Sequence, residues 1–259
     1  MNKSINELLL IENKQLNHDN FKLVLQSDVD LPPMYPGQFV NVEIRKATEV
    51  FLRRPFSVMD TDVNNRTLTL LVKILGRGSR VLTTSREGER ISVVLPLGKG
   101  FTQPEASDRI LLIGGGSGLA PMLFLARACG LNPEQVHILL GAKTAADHIA
   151  TEEYSSFGRF YRTTEDGSVG ERGFVTHHSL YKNKLHEFTK IYACGPGPMM
   201  KAVAAGAAAA GIFCEVSLEN LMACGFGVCL CCVEKTVSGN QCVCTEGPVF
   251  NINELTWQN

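Results

Sequence analysis

Six cysteines fall between Cys224 and Cys244, and their spacing is the strongest chemical signal in the chain. Cys224, Cys229 and Cys232 read C-x4-C-x2-C, and eleven residues separate Cys232 from Cys244. Four thiolates can hold a 2Fe-2S cluster, and this is a spacing in which such clusters are ligated. Gly225 and Gly227 lie in the first gap, where backbone must wrap closely around inorganic sulfides and offer them N–H groups. The same thiols admit a second chemistry. Cys229, Cys232, Cys242 and Cys244 could close around a tetrahedral zinc and leave Cys224 idle, although the second pair is C-x-C rather than the C-x2-C knuckle of zinc ribbons. Cys129, Cys194 and Cys214 stand in apolar or loop contexts, where a thiol is ordinarily a buried residue.

A second group of residues is suited to phosphate. Gly114-Gly115-Gly116-Ser117-Gly118-Leu119-Ala120-Pro121 follows an apolar run at residues 110–113. Glycines between a strand and a helix let a phosphate approach the backbone, and the helix start favours its charge. Ending in Pro121 rather than glycine, the turn is a variant of the dinucleotide fingerprint. Cys194-Gly195-Pro196 occupies the same kind of position further on, so the two turns can build one crevice at the carboxyl ends of parallel strands. A third candidate is Arg53-Arg54-Pro55-Phe56-Ser57, which offers a bidentate phosphate clamp, an aromatic face and a hydroxyl. Gly76-Arg77-Gly78-Ser79 adds a further phosphate turn, with Ser79 expected as the N-cap of a short helix over residues 79–85. His177-His178 reads as a solvated loop pair, and no His/Asp/Glu constellation for acid–base work is evident.

The elements that must position these residues change character along the chain. Strands are expected at residues 21–25, 39–44, 67–74 and 90–95, separated by Pro32-Pro33, Pro36-Gly37, Asn64-Asn65 and Glu87-Gly88, which suggests a small antiparallel barrel. From about Arg109 the order becomes strand, turn, helix: strands at 110–113, 136–140 and 190–193, helices at 121–129 and 198–210. That alternation implies a parallel sheet covered on both faces. The last forty or so residues are too few to hold a core unaided. At 259 residues the length prior is roughly two domains. A 44% hydrophobic composition excludes a disordered tail protein, and 25 Lys+Arg against 26 Asp+Glu give no reason to expect a nucleic acid or an anionic membrane as partner. The longest uncharged run, residues 110–126, contains five Gly/Pro positions and reads as strand, turn and helix start rather than a membrane span. The first residues carry Glu7 and Glu12 around a short apolar run, unlike a signal peptide, so a secreted disulfide framework is not expected and a soluble, cytoplasmic protein is.

Together the motifs resemble a known superfamily. Arg54-Pro55-Phe56-Ser57 is similar to the R-x-Y/F-S flavin motif of the ferredoxin–NADP reductases, and Gly116-x-Gly118-x-x-Pro121 with Cys194-Gly195-Pro196 is similar to their pyridine-nucleotide motifs. With the cysteine segment and its ending Cys-Thr-Glu-Gly-Pro-Val-Phe, essentially the whole chain resembles the electron-transfer subunits of class B dihydroorotate dehydrogenases. The resemblance implies a β plus α/β fold: an antiparallel FAD-binding β-barrel over residues 1–103, a Rossmann-like parallel-sheet NAD domain over 104–216, and a small C-terminal 2Fe-2S segment over 217–259. It implies that Arg54, Pro55, Phe56 and Ser57 contact FAD, with Leu71, Val72 and Lys73 on the next strand and Gly78 and Ser79 at the pyrophosphate. Gly116, Gly118, Pro121, Cys194, Gly195 and Pro196 would line the NAD site. Cys224, Cys229, Cys232 and Cys244 would ligate the cluster, leaving Cys231 and Cys242 as passengers; Leu221 stands where the pattern has a basic residue.

By the same resemblance, electrons run from an FMN-containing dihydroorotate dehydrogenase catalytic subunit through the cluster and FAD to NAD+, in pyrimidine (UMP) biosynthesis, within a heterotetramer of two plus two chains. No side chain of this subunit then needs to act as acid or base. Lys143 without an arginine cluster after the strand at 136–140 favours NAD over NADP. Two other readings stay open: the same redox chain serving a partner of sulfide dehydrogenase, hydrogenase or glutamate synthase type, and a zinc-stabilised nucleotide-binding module without redox function.

Overall fold

The computed structural model describes residues 3–149 and 151–258. Its first half is a closed barrel of six antiparallel strands, β1 (Ser4–Gln15), β2 (Asn20–Gln26), β3 (Phe39–Val42), β4 (Arg54–Asp62), β5 (Thr67–Lys73) and β6 (Arg90–Leu97), joined in the order β1-β2-β5-β4-β3-β6. Leu8, Leu10, Leu23, Leu25, Val40, Val42, Val58, Leu68, Leu70 and Val93 fill its interior. The expected strands are present, and β1 and β4 are additions, with residues 54–57 opening the latter; β1 shows why it was missed. Its Leu-Leu-Leu-Ile run does not alternate, and the structure accommodates it with a register shift between Leu10 and Glu12. The short helix α1 spans Arg77–Thr83, two residues earlier than expected. Its N-cap is Gly76; Ser79 is the third helical residue, and its hydroxyl accepts from the N–H groups of Leu75 and Gly76. A side chain reaching back from inside the first turn does the work that the sequence reading gave to a cap.

The second half is a seven-stranded sheet in the order β10-β9-β8-β7-β11-β12-β15, formed by β7 (Ile110–Gly115), β8 (Val136–Ala142), β9 (Arg159–Thr164), β10 (Glu171–Arg172), β11 (Lys190–Cys194), β12 (Phe213–Ser217) and β15 (Val249–Asn251). All neighbours are parallel except β15, which runs antiparallel to β12. Helix α2 (Leu119–Ala128) packs on one face, and α3 (Ser179–Lys184) with α4 (Gly197–Ala209) on the other. Strand order reverses at β7, which lies between β8 and β11, and such a switch point opens a crevice at the carboxyl ends of the strands. The hairpin β13 (Val233–Thr236) and β14 (Gly239–Cys242) belongs to the cysteine segment. Among the described residues no helix is long and apolar enough to cross a membrane.

Packing fixes the three parts against one another. Met59 and Leu71 of the barrel join the core beneath α2, while Phe39, Val94 and Leu97 join the core that contains Cys232, Val243 and Cys244. Arg127 at the end of α2 forms an ion pair with Asp60 of β4. At the join between barrel and sheet, the buried Glu215 carboxylate accepts from the Thr102 N–H at 2.9 Å and its hydroxyl at 2.6 Å, and Tyr192 donates to the Thr102 carbonyl at 2.8 Å. His178 departs from the solvated pair expected of it. It is buried, edge-on to Tyr161, and its Nδ1 accepts from the Leu180 N–H at the start of α3, while His177 remains exposed.

Candidate functional site

Residues 54–57 open β4 and are all half-buried, so their side chains are held yet reachable. The neighbouring arginines have different commitments. Arg53 donates to the Ser92 carbonyl and hydroxyl, both at 3.0 Å, and pairs with Glu43 at 3.3 Å; Arg54 donates to the carbonyls of Leu52 and Arg53. A Cβ on Gly78 would lie 3.0 Å from Nε of Arg54, so the guanidinium and the Gly78-Ser79 turn share one cradle that any side chain would fill. That fits a group with phosphates. On β5, Val72 points into the barrel core and Leu71 into the core under α2; their backbones pair with Phe21 and Lys22 of β2, while the ladder to β4 ends at Leu70, so the opposite backbone edge is open to a ligand. Lys73 reaches toward the sheet: its Nζ is 3.7 Å from where a Cβ on Gly116 would sit and 3.9 Å from the Asp19 carboxylate.

Across from Lys73, the two glycine turns meet. Gly114 and Cys194 are register partners on β7 and β11, and a Cβ on Gly118 would fall 2.1 Å from the Cys194 carbonyl oxygen. Only hydrogen at position 118 permits this approach. Gly116 adopts φ +58° and Gly195 φ +150°, conformations that favour glycine. Pro121 sits in the first turn of α2, where its missing N–H costs nothing. Cys194 is fully buried, and burial holds its thiol well above the ordinary range. The structure thus brings together Gly116, Gly118, Pro121, Cys194, Gly195 and Pro196, and a small cavity continues from Gly114 and Gly116 toward Asp147 and His148. One residue of this crevice carries no sequence signal. Glu219, two positions beyond β12, is open to solvent yet crowded by protein; burial pushes its carboxyl up against the opposing pull of Lys73 and of a hydrogen bond from Ser117.

The cysteine segment lies on the outer wall of the barrel. Gly225 and Gly227 adopt φ +77° and +79°, turning the loop so that the Phe226 N–H donates to Sγ of Cys224 at 3.3 Å and the Gly227 N–H to Sγ of Cys244 at 3.1 Å. Burial pushes the Cys224 thiol up, but N–H groups of Phe226, Cys229 and Val228 outweigh it and bring it down to about 6. Burial and the adjacent Cys232 thiol push Cys244 up to about 12. Cys224 thus neighbours Cys229, and Cys232 neighbours Cys244; N–H groups directed at the Cys224 and Cys244 sulfurs suit a thiolate-ligated iron–sulfur group, but among the described residues no three of these side chains are gathered as closely as metal ligands. Cys242 lies beside these thiols and Cys231 is exposed. Leu221, Val228 and Leu230 are 85%, 80% and 62% exposed around them.

Comparison with known proteins agrees with this geometry. Residues 219–256 match a family described as the iron-sulfur cluster binding domain of dihydroorotate dehydrogenase B, and residues 112–205 match the oxidoreductase NAD-binding domain. The chain is 33% identical to the dihydroorotate dehydrogenase B (NAD(+)) electron transfer subunit of Shouchella clausii, covering 98% of this chain and 99% of that one. It is 35% identical to the subunit of the same name from Lysinibacillus sphaericus, over 94% and 95%. Among solved structures, NADH-dependent reduced ferredoxin-NADP oxidoreductase, determined in a study of flavin-based electron bifurcation, aligns with TM-score 0.84 and 30% identity over 98% of this chain and 91% of that one. The ferredoxin reductase of carbazole 1,9a-dioxygenase shares the fold at TM-score 0.71 and 24% identity, over 82% and 67%.

Proposed function

The chain belongs to the family of dihydroorotate dehydrogenase B (NAD(+)) electron transfer subunits, and from that membership we propose that it relays electrons to NAD+ from an FMN-containing catalytic subunit that oxidises dihydroorotate, in a cytoplasmic complex of two plus two chains serving pyrimidine synthesis. What supports this reading is that the barrel touches both other parts: Asn41, register partner of Pro55, contacts the Cys224 loop, and Lys73 reaches the Gly116 turn. When bound, the 2Fe-2S cluster carries single electrons, FAD joins one-electron to two-electron chemistry, and NAD+ takes a hydride.

The chain's own residues bind and orient these groups. Arg54, with Pro55, Phe56, Ser57 and the backbone of Leu71, Val72 and Lys73, holds FAD, and Gly78 and Ser79 face its pyrophosphate. Gly116, Gly118, Pro121, Cys194, Gly195 and Pro196 line the NAD crevice. Cys224, Cys229, Cys232 and Cys244 are the cluster ligands, and Cys231 and Cys242 are not. One role departs from the expectation that no side chain works as acid or base. A hydride passed to NAD+ would need two electrons and a proton, and single electrons delivered through a bound cluster would bring no proton. Glu219, beside Ser117 and Lys73 at the crevice, is the carboxyl in reach to supply it.

Anaerobic purification of the complex, with assays of iron, acid-labile sulfide, FAD and FMN and of NAD+-dependent dihydroorotate oxidation, tests the reading. The expected result is a coloured complex containing both flavins and iron. A complex that holds zinc in place of iron, or a partner without FMN, would overturn it. The likeness to the ferredoxin-NADP oxidoreductase chain favours, as the second reading, the same relay with a different redox partner; the identity of the co-purified subunit separates the two.

A further inference from the structure

One polar side chain is buried where the barrel wall meets the cysteine segment. All four residues of β3 are buried; Val40 and Val42 face the barrel interior, and alternation places Phe39 and Asn41 on the outer face. Phe39 packs there with the core that holds Cys232 and Cys244. Asn41 is 1% exposed, and its Nδ2 donates to the carbonyl oxygen of Cys224 at 3.3 Å. A Cβ on Gly225 would sit 2.6 Å from that nitrogen, so the loop rests directly on the amide. Asn41 Oδ1 is buried and accepts no hydrogen bond among the described residues. A leucine would fill similar space without burying that unpaired acceptor, which is a standing cost. The amide is therefore worth its burial for the contact its donor makes.

On its other side the same residue belongs to the flavin strand's ladder. Asn41 is the register partner of Pro55, and its carbonyl accepts from Arg53 Nη1 at 3.4 Å. Asn41 thus touches both the strand carrying residues 54–57 and the loop carrying the first cluster thiol.

We propose that Asn41 is a positioning residue for electron transfer: its amide seats Cys224 and Gly225 on β3 and thereby sets where the first cluster ligand lies relative to the flavin strand. The inference rests on the cluster and flavin assignments above. Groups just outside the ligands orient them and tune what they bind, although they touch neither iron nor flavin.

The test uses the whole complex carrying Asn41→Leu. NADH is added anaerobically, and flavin bleaching and cluster bleaching are followed separately, with an electron paramagnetic resonance spectrum of the reduced cluster. Iron and FAD contents and the rate of flavin bleaching should match the wild type, while cluster reduction slows at least severalfold and the spectrum changes. Wild-type cluster reduction with an unchanged spectrum would overturn the proposal. So would loss of iron with FAD retained, since Asn41 would then be required to assemble the loop rather than to place it. If the leucine variant does not fold, Asn41→Ala, which removes the donor without added bulk, is read in the same way. Failure of the underlying assignment looks different: the wild-type complex itself would lack iron and sulfide.

Discussion

Arg53 and Arg54 are adjacent and chemically identical, and nothing in their types says which one serves a cofactor. The structure separates them by what each guanidinium already does. Arg53 is occupied by Ser92 and Glu43, tying β3 to β6, whereas Arg54 donates to the nearby carbonyls of Leu52 and Arg53 and lies against the Gly78 turn. Arg54→Ala should weaken FAD binding by about 1.5 to 3 kcal/mol, roughly ten- to a hundredfold, because it removes a charge-assisted pair to phosphate. Arg53→Ala should leave the flavin affinity unchanged and lower the unfolding free energy by about 1 to 2 kcal/mol. Flavin titration of the two apoproteins, with thermal melts, checks both; equal loss of FAD in the two variants would refute the division. The cysteine-rich segment was legible because clustered thiols at this spacing point to a metal or cluster on their own, although the spacing alone left both an iron–sulfur and a zinc set open. Glu219 and Asn41 were not, since an isolated carboxylate or amide acquires meaning only from the strands that fold beside it.

At the scale of elements, strand, turn and helix from β7 to α2 were readable in order, and so was the crevice they form with β11. What the glycine pattern could not convey is which glycine is indispensable and why. Gly118 has φ near −62°, so its backbone would suit any residue. Its constraint is space, because a Cβ would lie 2.1 Å from the Cys194 carbonyl oxygen and 2.6 Å from the Gly195 nitrogen. Gly118→Ala must push the two turns apart, and overpacking of backbone against backbone should cost about 1 to 3 kcal/mol. NAD+ should bind tenfold or more weakly, while FAD, held by the barrel, stays bound. Gly197→Ala, where a Cβ would meet nothing within 4 Å, is the matched control and should bind NAD+ normally. Calorimetric titration of NAD+ decides; a Gly118→Ala protein with unaltered affinity would remove the turn from the site. Elements that escaped the sequence reading escaped for physical reasons. β9 is Arg-Phe-Tyr-Arg-Thr-Thr, too polar to resemble a buried parallel strand, and two-residue β10 and three-residue β15 exist only through their neighbours in the sheet.

For the whole molecule, the succession of barrel, sheet and cysteine segment was legible, but not their mutual placement, which comes from Phe39, Val94 and Leu97 packing with Cys232, Val243 and Cys244. That packing buries Cys232 and Cys244 and leaves the opposite side of the segment outward, where Leu221, Val228 and Leu230 are exposed and Phe226 partly so. A charged protein surface rarely presents several apolar side chains together unless something covers them. Leu230 also holds φ +58°, a strained conformation for leucine, at the tip between Cys229 and Cys232. With a net charge of −1 there is little long-range steering, and apolar burial is what this rim offers a partner. The catalytic partner implied by the family should therefore dock on this rim, beside the proposed cluster ligands. Val228→Glu should weaken the complex tenfold or more, since it forces a charge into that contact. Iron and FAD contents should not change. Val63→Glu, equally exposed on the turn between β4 and β5, serves as the control and should leave assembly intact. Sedimentation of the mixed subunits measures both variants. Assembly unaffected by Val228→Glu would place the partner on another face and require electrons to enter the chain elsewhere.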